Sequence, residues 1–241
     1  MKNNFVKIKN RRPVLIEPKI KEKIPLKGMR ARIAKKMTQS WTSAPRVAEI
    51  VLINMEEAKK CADSKKSEGV TINDLIIRSC ALALKEFPIL NSAVIGEEIL
   101  VFDNVNIAFA VALDDGLITP VIPEADTLSL PDVAAKRAEV VERVRNGERT
   151  PDLLTGGTFT ITNLGGAGIE LFTPIINFPQ CAILGVGKAI RRPVVDGEGN
   201  IVSQLNMYAS LVFDHRIVDG LPAAKCLGRI KELLENPSAI G

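Results

Sequence analysis

Aromatic residues are scarce: the 241-residue chain has one Trp, one Tyr and eight Phe, 4% in all. With no zinc-finger spacing either, a nucleic-acid reader has no base-stacking surface to work with. No run of about eighteen uncharged apolar residues occurs, and the first residues are Lys-rich where a secretory leader would be apolar. Membrane spanning and secretion are therefore not expected, and a cytosolic protein is. A mitochondrial leader would be Ser-rich and acid-poor, whereas the first Ser is Ser40 and Glu17 and Glu22 interrupt the basic run. Cys61, Cys80, Cys181 and Cys226 form no CxxC pair and no metal-ligand spacing, so buried free thiols are expected and no metal is. G-x-S-x-G, HExxH, G-x-x-x-x-G-K-[ST] and G-x-G-x-x-G are all absent, which removes the nucleophile elbow, the zincin helix and the usual phosphate loops.

What is present is 46% hydrophobic and 25% charged, the balance of a globular chain. Thirteen of the 32 Lys and Arg fall within residues 1–36, against Glu17 and Glu22 alone. The net charge of +4 thus belongs to an N-terminal arm, while the remainder is acidic. Residues 1–23 alternate Lys with Ile, Val and Pro without helical period and read as an extended arm or linker remnant. Residues 24–241 read as one domain.

Within that domain, Met29, Ile33, Ala34 and Met37 recur at helical spacing in a basic amphipathic helix that Pro45 ends. Arg46–Asn54 is a β-branched strand, and a charged helix crosses Glu56–Lys66. Thr71 and Asp74 form a capping box before an apolar helix that runs to Phe87. Strands are expected at Ile99–Phe102, Val105–Leu113 and Leu117–Ile122, the last two joined by a turn at Asp114, Asp115 and Gly116. Ser129 and Asp132 cap a helix with Val133, Ala134, Ala138, Val141 and Val144 on one face. Strands follow at Thr158–Leu164, Ala182–Val186, Arg192–Val195 and Leu205–Phe213, then a helix at Leu221–Glu235 that buries Leu227, Ile230 and Leu234. Gly165, Gly166 and Gly168 read as a turn needing positive φ. Strands and helices intermix with hairpin-like spacing, which indicates a single α/β domain with a mixed sheet.

The only histidine, His215, ends a long strand just before a helix, in Asp214-His215-Arg216-Ile217-Val218-Asp219-Gly220. A lone His is most often a satisfied surface or core residue. At a strand-end loop among charged residues, however, an imidazole can face a cleft and take a proton from a thiol or hydroxyl.

This segment matches the H-x-x-x-D-G motif of the chloramphenicol acetyltransferase superfamily, and the whole of it resembles the dihydrolipoamide acyltransferase core of 2-oxo acid dehydrogenase complexes. Further blocks resemble that family in its order: IPLKGMR from Ile24, NIAFAVA from Asn106 with GLITPVI from Gly116, GTFTITNLG from Gly157, and FTPIINFPQCAILGVG from Phe172. The resemblance runs from about residue 24 to the C-terminus. It implies an α/β, chloramphenicol acetyltransferase-like two-layer sandwich with a mixed β-sheet and packed helices.

For function, the resemblance implies an acyltransferase moving an acyl group between a dihydrolipoyl carrier and coenzyme A. His215 would be the general base and Thr162 the hydroxyl donor to the tetrahedral oxyanion. Thr160 shares the strand parity of Thr162, so alternation does not separate the two, and a buried strand Thr also serves plain packing. Asp219 would hold the active-site loop through an ion pair with an Arg, or cap the C-terminal helix, or both. Asn177 and Gln180 lie in the block resembling the channel lining that meets the cofactor-substrate. Arg30, Arg32, Lys35 and Lys36 suit coenzyme A phosphates and a solvated helix face equally.

The family's active site lies between subunits of a homotrimer, so a trimer is expected, with a larger trimer-based shell as an extension in which Ile240 could act as the apolar anchor. The chain shows no lipoyl-type Asp-Lys segment, so the lipoyl group is expected on a separate domain or protein, acting in trans. Arg46 stands where many relatives have His and Phe178 where Pro is common. Two other functions fit the motif: an acyl-CoA transferase acting on a different acceptor, and an oligomeric scaffold without catalysis.

Overall fold

The computed structural model describes residues 18–113 and 116–240. Residues 1–17 of the expected arm and two residues of the expected turn, Asp114 and Asp115, lie outside the described residues. Residues 18–27 have no regular structure, and Ile20, Ile24 and Leu26 are exposed.

The first regular element is helix α1 (Gly28–Ser43), which hands over through Ala44 and Pro45 to strand β1 (Arg46–Asn54). Helix α2 (Glu56–Ser64) and a 3₁₀ turn lead to α3 (Ile72–Glu86). The capping box is formed: Thr71 N–H donates to Asp74 Oδ2 at 2.8 Å, and the Thr71 hydroxyl donates to the same oxygen at 2.7 Å. After α3 come β2 (Ser92–Ile95) and β3 (Glu98–Val101), a separate hairpin.

The expected strand Val105–Leu113 is broken in two, β4 (Ile107–Phe109) and β5 (Val111–Leu113), and its neighbour likewise, β6 (Gly116–Ile118) and β7 (Val121–Ile122). At the break Ala110 N–H bonds to Ile161 and Phe109 N–H to Pro120. The chain thereby leaves the main sheet and builds a second hairpin, β5–β6. Helix α4 (Leu130–Arg145) opens with Ser129 accepting from Asp132 N–H. It buries Val133, Ala134, Val140 and Val144; Ala138 faces solvent, so the buried stripe follows Val140 in its place. A single turn α5 (Pro151–Leu154) precedes β8 (Phe159–Asn163), and β9 (Ala182–Val186), β10 (Ile190–Val195), β11 (Ile201–Asp214) and α6 (Gly220–Glu235) complete the fold.

The main sheet runs β1-β11-β9-β8-β4-β7, with β10 also paired to β11. The β4–β8 and β8–β9 pairs are parallel and the rest antiparallel, the mixed sheet expected from the chain pattern. Alternation sends Phe159, Ile161, Leu184, Leu211 and Phe213 into one large core with α3, α4 and α6. Thr160, Thr162, Ile183, Gly185, Ser210 and Val212 face the other way. There a small hydrophobic cluster of Ala44, Ile176, Ile183 and Val212 is buried, under the end of α1 and the segment before β9.

Helix α1 departs from its hydrophobic pattern. Met29 is 59% exposed, and the one buried residue is Ser40, whose hydroxyl donates to the Ile176 carbonyl at 2.7 Å. Ile240 packs into the chain's own core at 2% exposure, so an anchor built on it would have to leave that core. Cys80, Cys181 and Cys226 are buried free thiols, as expected, and burial pushes all three up, Cys226 to about 12. Among the described residues no helix is long and apolar enough to cross a membrane.

Candidate active site

His215 sits in the turn after β11 with its side chain exposed. Its backbone is pinned from both neighbouring strands. His215 N–H donates to Pro45 O at 2.8 Å and Asp214 N–H to Cys181 O at 2.8 Å. Asp214 carries the turn: its carbonyl accepts from Ile217 and Val218 N–H, and its buried carboxylate accepts from Arg216 N–H at 3.0 Å and Nη2 at 2.6 Å. The backbone that carries His215 is therefore held by a closed local network, and the imidazole ring lies 5.9 Å from that of Phe213. Asp219 is exposed at the N-cap position of α6 without a side-chain capping bond. Within the described residues of one chain Asp219 makes no ion pair, and the Arg216 guanidinium is committed to Asp214 instead.

The two threonines of β8 differ in what their hydroxyls do. Thr160 is 2% exposed, donates to Gln180 Oε1 at 2.6 Å and accepts from Asn177 Nδ2 at 2.9 Å. Gln180 Nε2 in turn donates to Gly157 O at 2.7 Å. A hydroxyl has one proton, so Thr160 has none left for a ligand. Thr162 is half-buried, and its hydroxyl has no partner among the described residues. Asn177 and Gln180 are thus brought together around Thr160, and both also line a small cavity of about 140 Å³.

Strand register measures the separation of His215 and Thr162. Thr162 pairs with Gly185, and Gly185 with Ser210. From Ser210 to His215 is roughly 17 Å of chain, and β8 lies about 10 Å across from β11, giving on the order of 19 Å between the two residues. One chain cannot bring them together. Beside Thr162, Gly185 is required by close approach: a Cβ there would lie 2.6 Å from Ser210 Oγ and 2.8 Å from Pro174 Cδ. In the glycine turn after β8 only Gly168 has positive φ, at +86°, whereas Gly165 is needed because a Cβ would lie 2.8 Å from the Gly187 carbonyl.

A larger cavity, about 330 Å³, opens at the C-terminal end of β8 on the helix side, lined among others by Asn73, Arg137, Arg145, Ile161 and Asn163. Asn163 Nδ2 donates to Asn73 Oδ1 at 2.9 Å. Arg137 is locked by fully buried Asp74, Nε to Oδ1 at 2.5 Å and Nη2 to Oδ2 at 3.2 Å. Arg145 is exposed and forms no ion pair among the described residues. Sequence reasoning missed this cluster, because its members come from three elements far apart in the chain. No group of His, Cys, Asp and Glu suited to a metal ion occurs among the described residues.

The family model for 2-oxoacid dehydrogenases acyltransferase (catalytic domain) matches residues 18–241. The chain is 38% identical over 226 residues to the dihydrolipoyllysine-residue acetyltransferase component of the acetoin cleaving system of Bacillus subtilis, covering 91% of this chain and 56% of that one. It is 36% identical over 226 residues to the dihydrolipoyllysine-residue succinyltransferase component of the 2-oxoglutarate dehydrogenase complex of Cupriavidus necator, covering 91% and 54%. The chain spans about half the length of the curated relatives it matches. Among solved structures, the cubic core of the pyruvate dehydrogenase multienzyme complex superposes with a TM-score of 0.85 at 34% identity, over 93% of this chain and 98% of that one. Chloramphenicol acetyltransferase shares the fold, with a TM-score of 0.56 at 15% identity over 83% of this chain and 94% of that one.

Proposed function

The chain belongs to the acyltransferase family of the 2-oxoacid dehydrogenases, and from that premise we propose that it moves an acyl group between a dihydrolipoyl carrier and coenzyme A. His215 accepts the proton of the attacking thiol. The thiolate adds to the thioester carbonyl carbon, and the oxyanion that forms takes a hydrogen bond from Thr162. When the tetrahedral adduct collapses, the carbon–sulfur bond of the donor breaks and the imidazolium returns its proton to the departing sulfur. Asp219, which has no partner among the described residues of one chain, holds the loop that carries His215 by pairing with an Arg of the neighbouring subunit.

The observation that carries the reading is the contrast between one exposed imidazole on a backbone-pinned turn and one strand hydroxyl with no partner among the described residues, roughly 19 Å apart in a single chain. Such a pair works only across an interface, with His215 of one subunit facing Thr162 of the next, and the family resemblance makes a homotrimer the functional unit. The 330 Å³ cavity beside Asn163, on the helix side of the sheet, has room for only part of coenzyme A, with Arg145 available to a phosphate. The lipoyl group arrives in trans on a separate domain or protein. Ile240, being buried in its own core, argues for the trimer over a larger shell joined through that residue. We place the protein in the cytoplasm.

The reading is tested by acyl transfer from acetyl-CoA, succinyl-CoA and isobutyryl-CoA to free dihydrolipoamide, wild type beside His215→Ala. Transfer that the substitution abolishes supports it. Equal transfer by the variant, or none by a well-folded wild type, contradicts it.

A further inference from the structure

A histidine base is commonly aimed by a hydrogen bond to its second ring nitrogen. Among the described residues of one chain nothing makes that bond: the only hydrogen bond of His215 is the one its backbone N–H gives to Pro45 O. The direction of the imidazole is therefore set by the backbone of the turn between β11 and α6. Two points of that turn are fixed from outside it. Asp214 and His215 N–H groups hold the entry at Cys181 O and Pro45 O, both at 2.8 Å, and Val218, 1% exposed, is buried in the main core. Between them His215 and Arg216 stand at the surface, and the path of the chain there depends on Asp214.

The Asp214 side chain is 4% exposed, and every bond it makes is to Arg216. Oδ1 accepts from Arg216 N–H at 3.0 Å, which closes an Asx-type turn over His215, and from Arg216 Nε at 3.0 Å. Oδ2 accepts from Nε at 3.1 Å and Nη2 at 2.6 Å. The guanidinium fork thus clamps the carboxylate from one side while the backbone N–H holds it from the other. Arg216 is also the only cation that pairs with Asp214 among the described residues. Without that cation the buried charge has nothing to offset its desolvation, and moving Oδ1 toward water opens the turn at Arg216 N–H.

Resting on the acyltransferase reading above, we propose that Asp214 and Arg216 are a positioning pair whose ion pair aims the His215 imidazole at the thiol it deprotonates. Neither residue touches the reacting atoms. Asp219 holds the loop from the neighbouring subunit, and Asp214 shapes it from within the chain. A catalytic group displaced by about 1 Å loses about 10²-fold in rate, so the effect of opening the turn falls on kcat rather than on binding.

The test measures kcat and KM for transfer from the preferred acyl-CoA to free dihydrolipoamide in wild type, Asp214→Asn and Arg216→Ala. Asn is the same size as Asp but has one acceptor oxygen, so its amide nitrogen meets Arg216 Nη2 donor to donor. The proposal expects kcat to fall about 10–100-fold in both variants with each KM within about 2-fold of wild type. It also expects millimolar ethylguanidinium to raise kcat of Arg216→Ala several-fold while leaving wild type and His215→Ala unchanged. Because Arg216 is at the surface, that variant keeps the measurement open should Asp214→Asn fail to fold. Unchanged kcat, a loss confined to KM, or a loss in Arg216→Ala that ethylguanidinium does not relieve overturns the positioning role and leaves the acyltransferase reading standing. Inactivity of well-folded wild type, or ordinary activity of His215→Ala, overturns both.

Discussion

Thr160 gives its one hydroxyl proton to Gln180 Oε1 at 2.6 Å, and that bond distinguishes two threonines that the strand pattern treats alike. Both point to the same face of β8, but only Thr162 has a hydroxyl left to donate. Thr162→Val is accordingly expected to lower kcat by about 10²–10³, the usual effect of losing one oxyanion donor, with thermal stability little changed. Thr160→Val breaks a buried network and strands Gln180 and Asn177, so its main effect is on stability, about 1–3 kcal/mol in urea titration. A reversal of the two outcomes would assign the oxyanion to Thr160.

The ion pair between Asp74 and Arg137 joins the start of α3 to α4 beneath the larger cavity. Asp74 is fully buried and also satisfies the Thr71 N–H and hydroxyl. Removing one partner leaves an uncompensated charge, so Arg137→Met should cost about 3–5 kcal/mol, read from denaturant midpoints. A loss below about 1 kcal/mol would mean that water reaches Asp74.

Thiol chemistry offers a pH-based check on the core. Burial raises Cys80, Cys181 and Cys226, so at pH 8 these remain protonated and enclosed, and Cys61 alone is partly exposed. Iodoacetamide at pH 8 is expected to modify Cys61 in the native protein and all four cysteines in denaturant, as located by peptide mass. Native labelling at Cys80 or Cys226 would contradict the packing of α3 on α6.

Gly187 sits under the segment that follows β8. A Cβ there would lie 1.8 Å from the Glu170 carbonyl oxygen, closer than any rotamer change can relieve. Gly187→Ala should displace residues 169–172, whose backbone bonds to Lys188, and lower the melting temperature by several degrees. An unshifted melting curve would show that this segment does not lie where it is described.

Much of this was legible in the chain. Strand β1 stands where the β-branched run from Arg46 to Asn54 predicts it, and α3 begins where Thr71 and Asp74 place a cap. Hydrophobic period could not show that Val105–Leu113 divides between two sheets, because the division rests on Ala110 pairing with Ile161 across a long sequence separation. Nor could it show β2, whose Ser92 and Ala93 have little strand character. Helix α1 misleads for the opposite reason: its docking contact is a serine hydroxyl, which a hydrophobic stripe does not register. At the site, the motif pointed to His215 and the family resemblance to Thr162, and what the strand pattern could not give is the difference between Thr162 and Thr160, which lies in hydrogen bonds to Gln180 and Asn177. Arg137, Arg145 and Asn163 gave no signal, since spacing along the chain says nothing of a cavity assembled from separate elements.

The central claim is that catalysis needs His215 from one chain and Thr162 from another. Its most direct test is complementation between His215→Ala and Thr162→Val, each purified separately, then unfolded together and refolded as mixed oligomers. If the functional unit is an oligomer of the proposed kind, mixing leaves interfaces in which both residues are intact, so the account predicts recovery of acyl transfer to a sizeable fraction of wild type, well above either parent. Mixed oligomers no more active than their parents would show that the two residues do not meet across a subunit boundary.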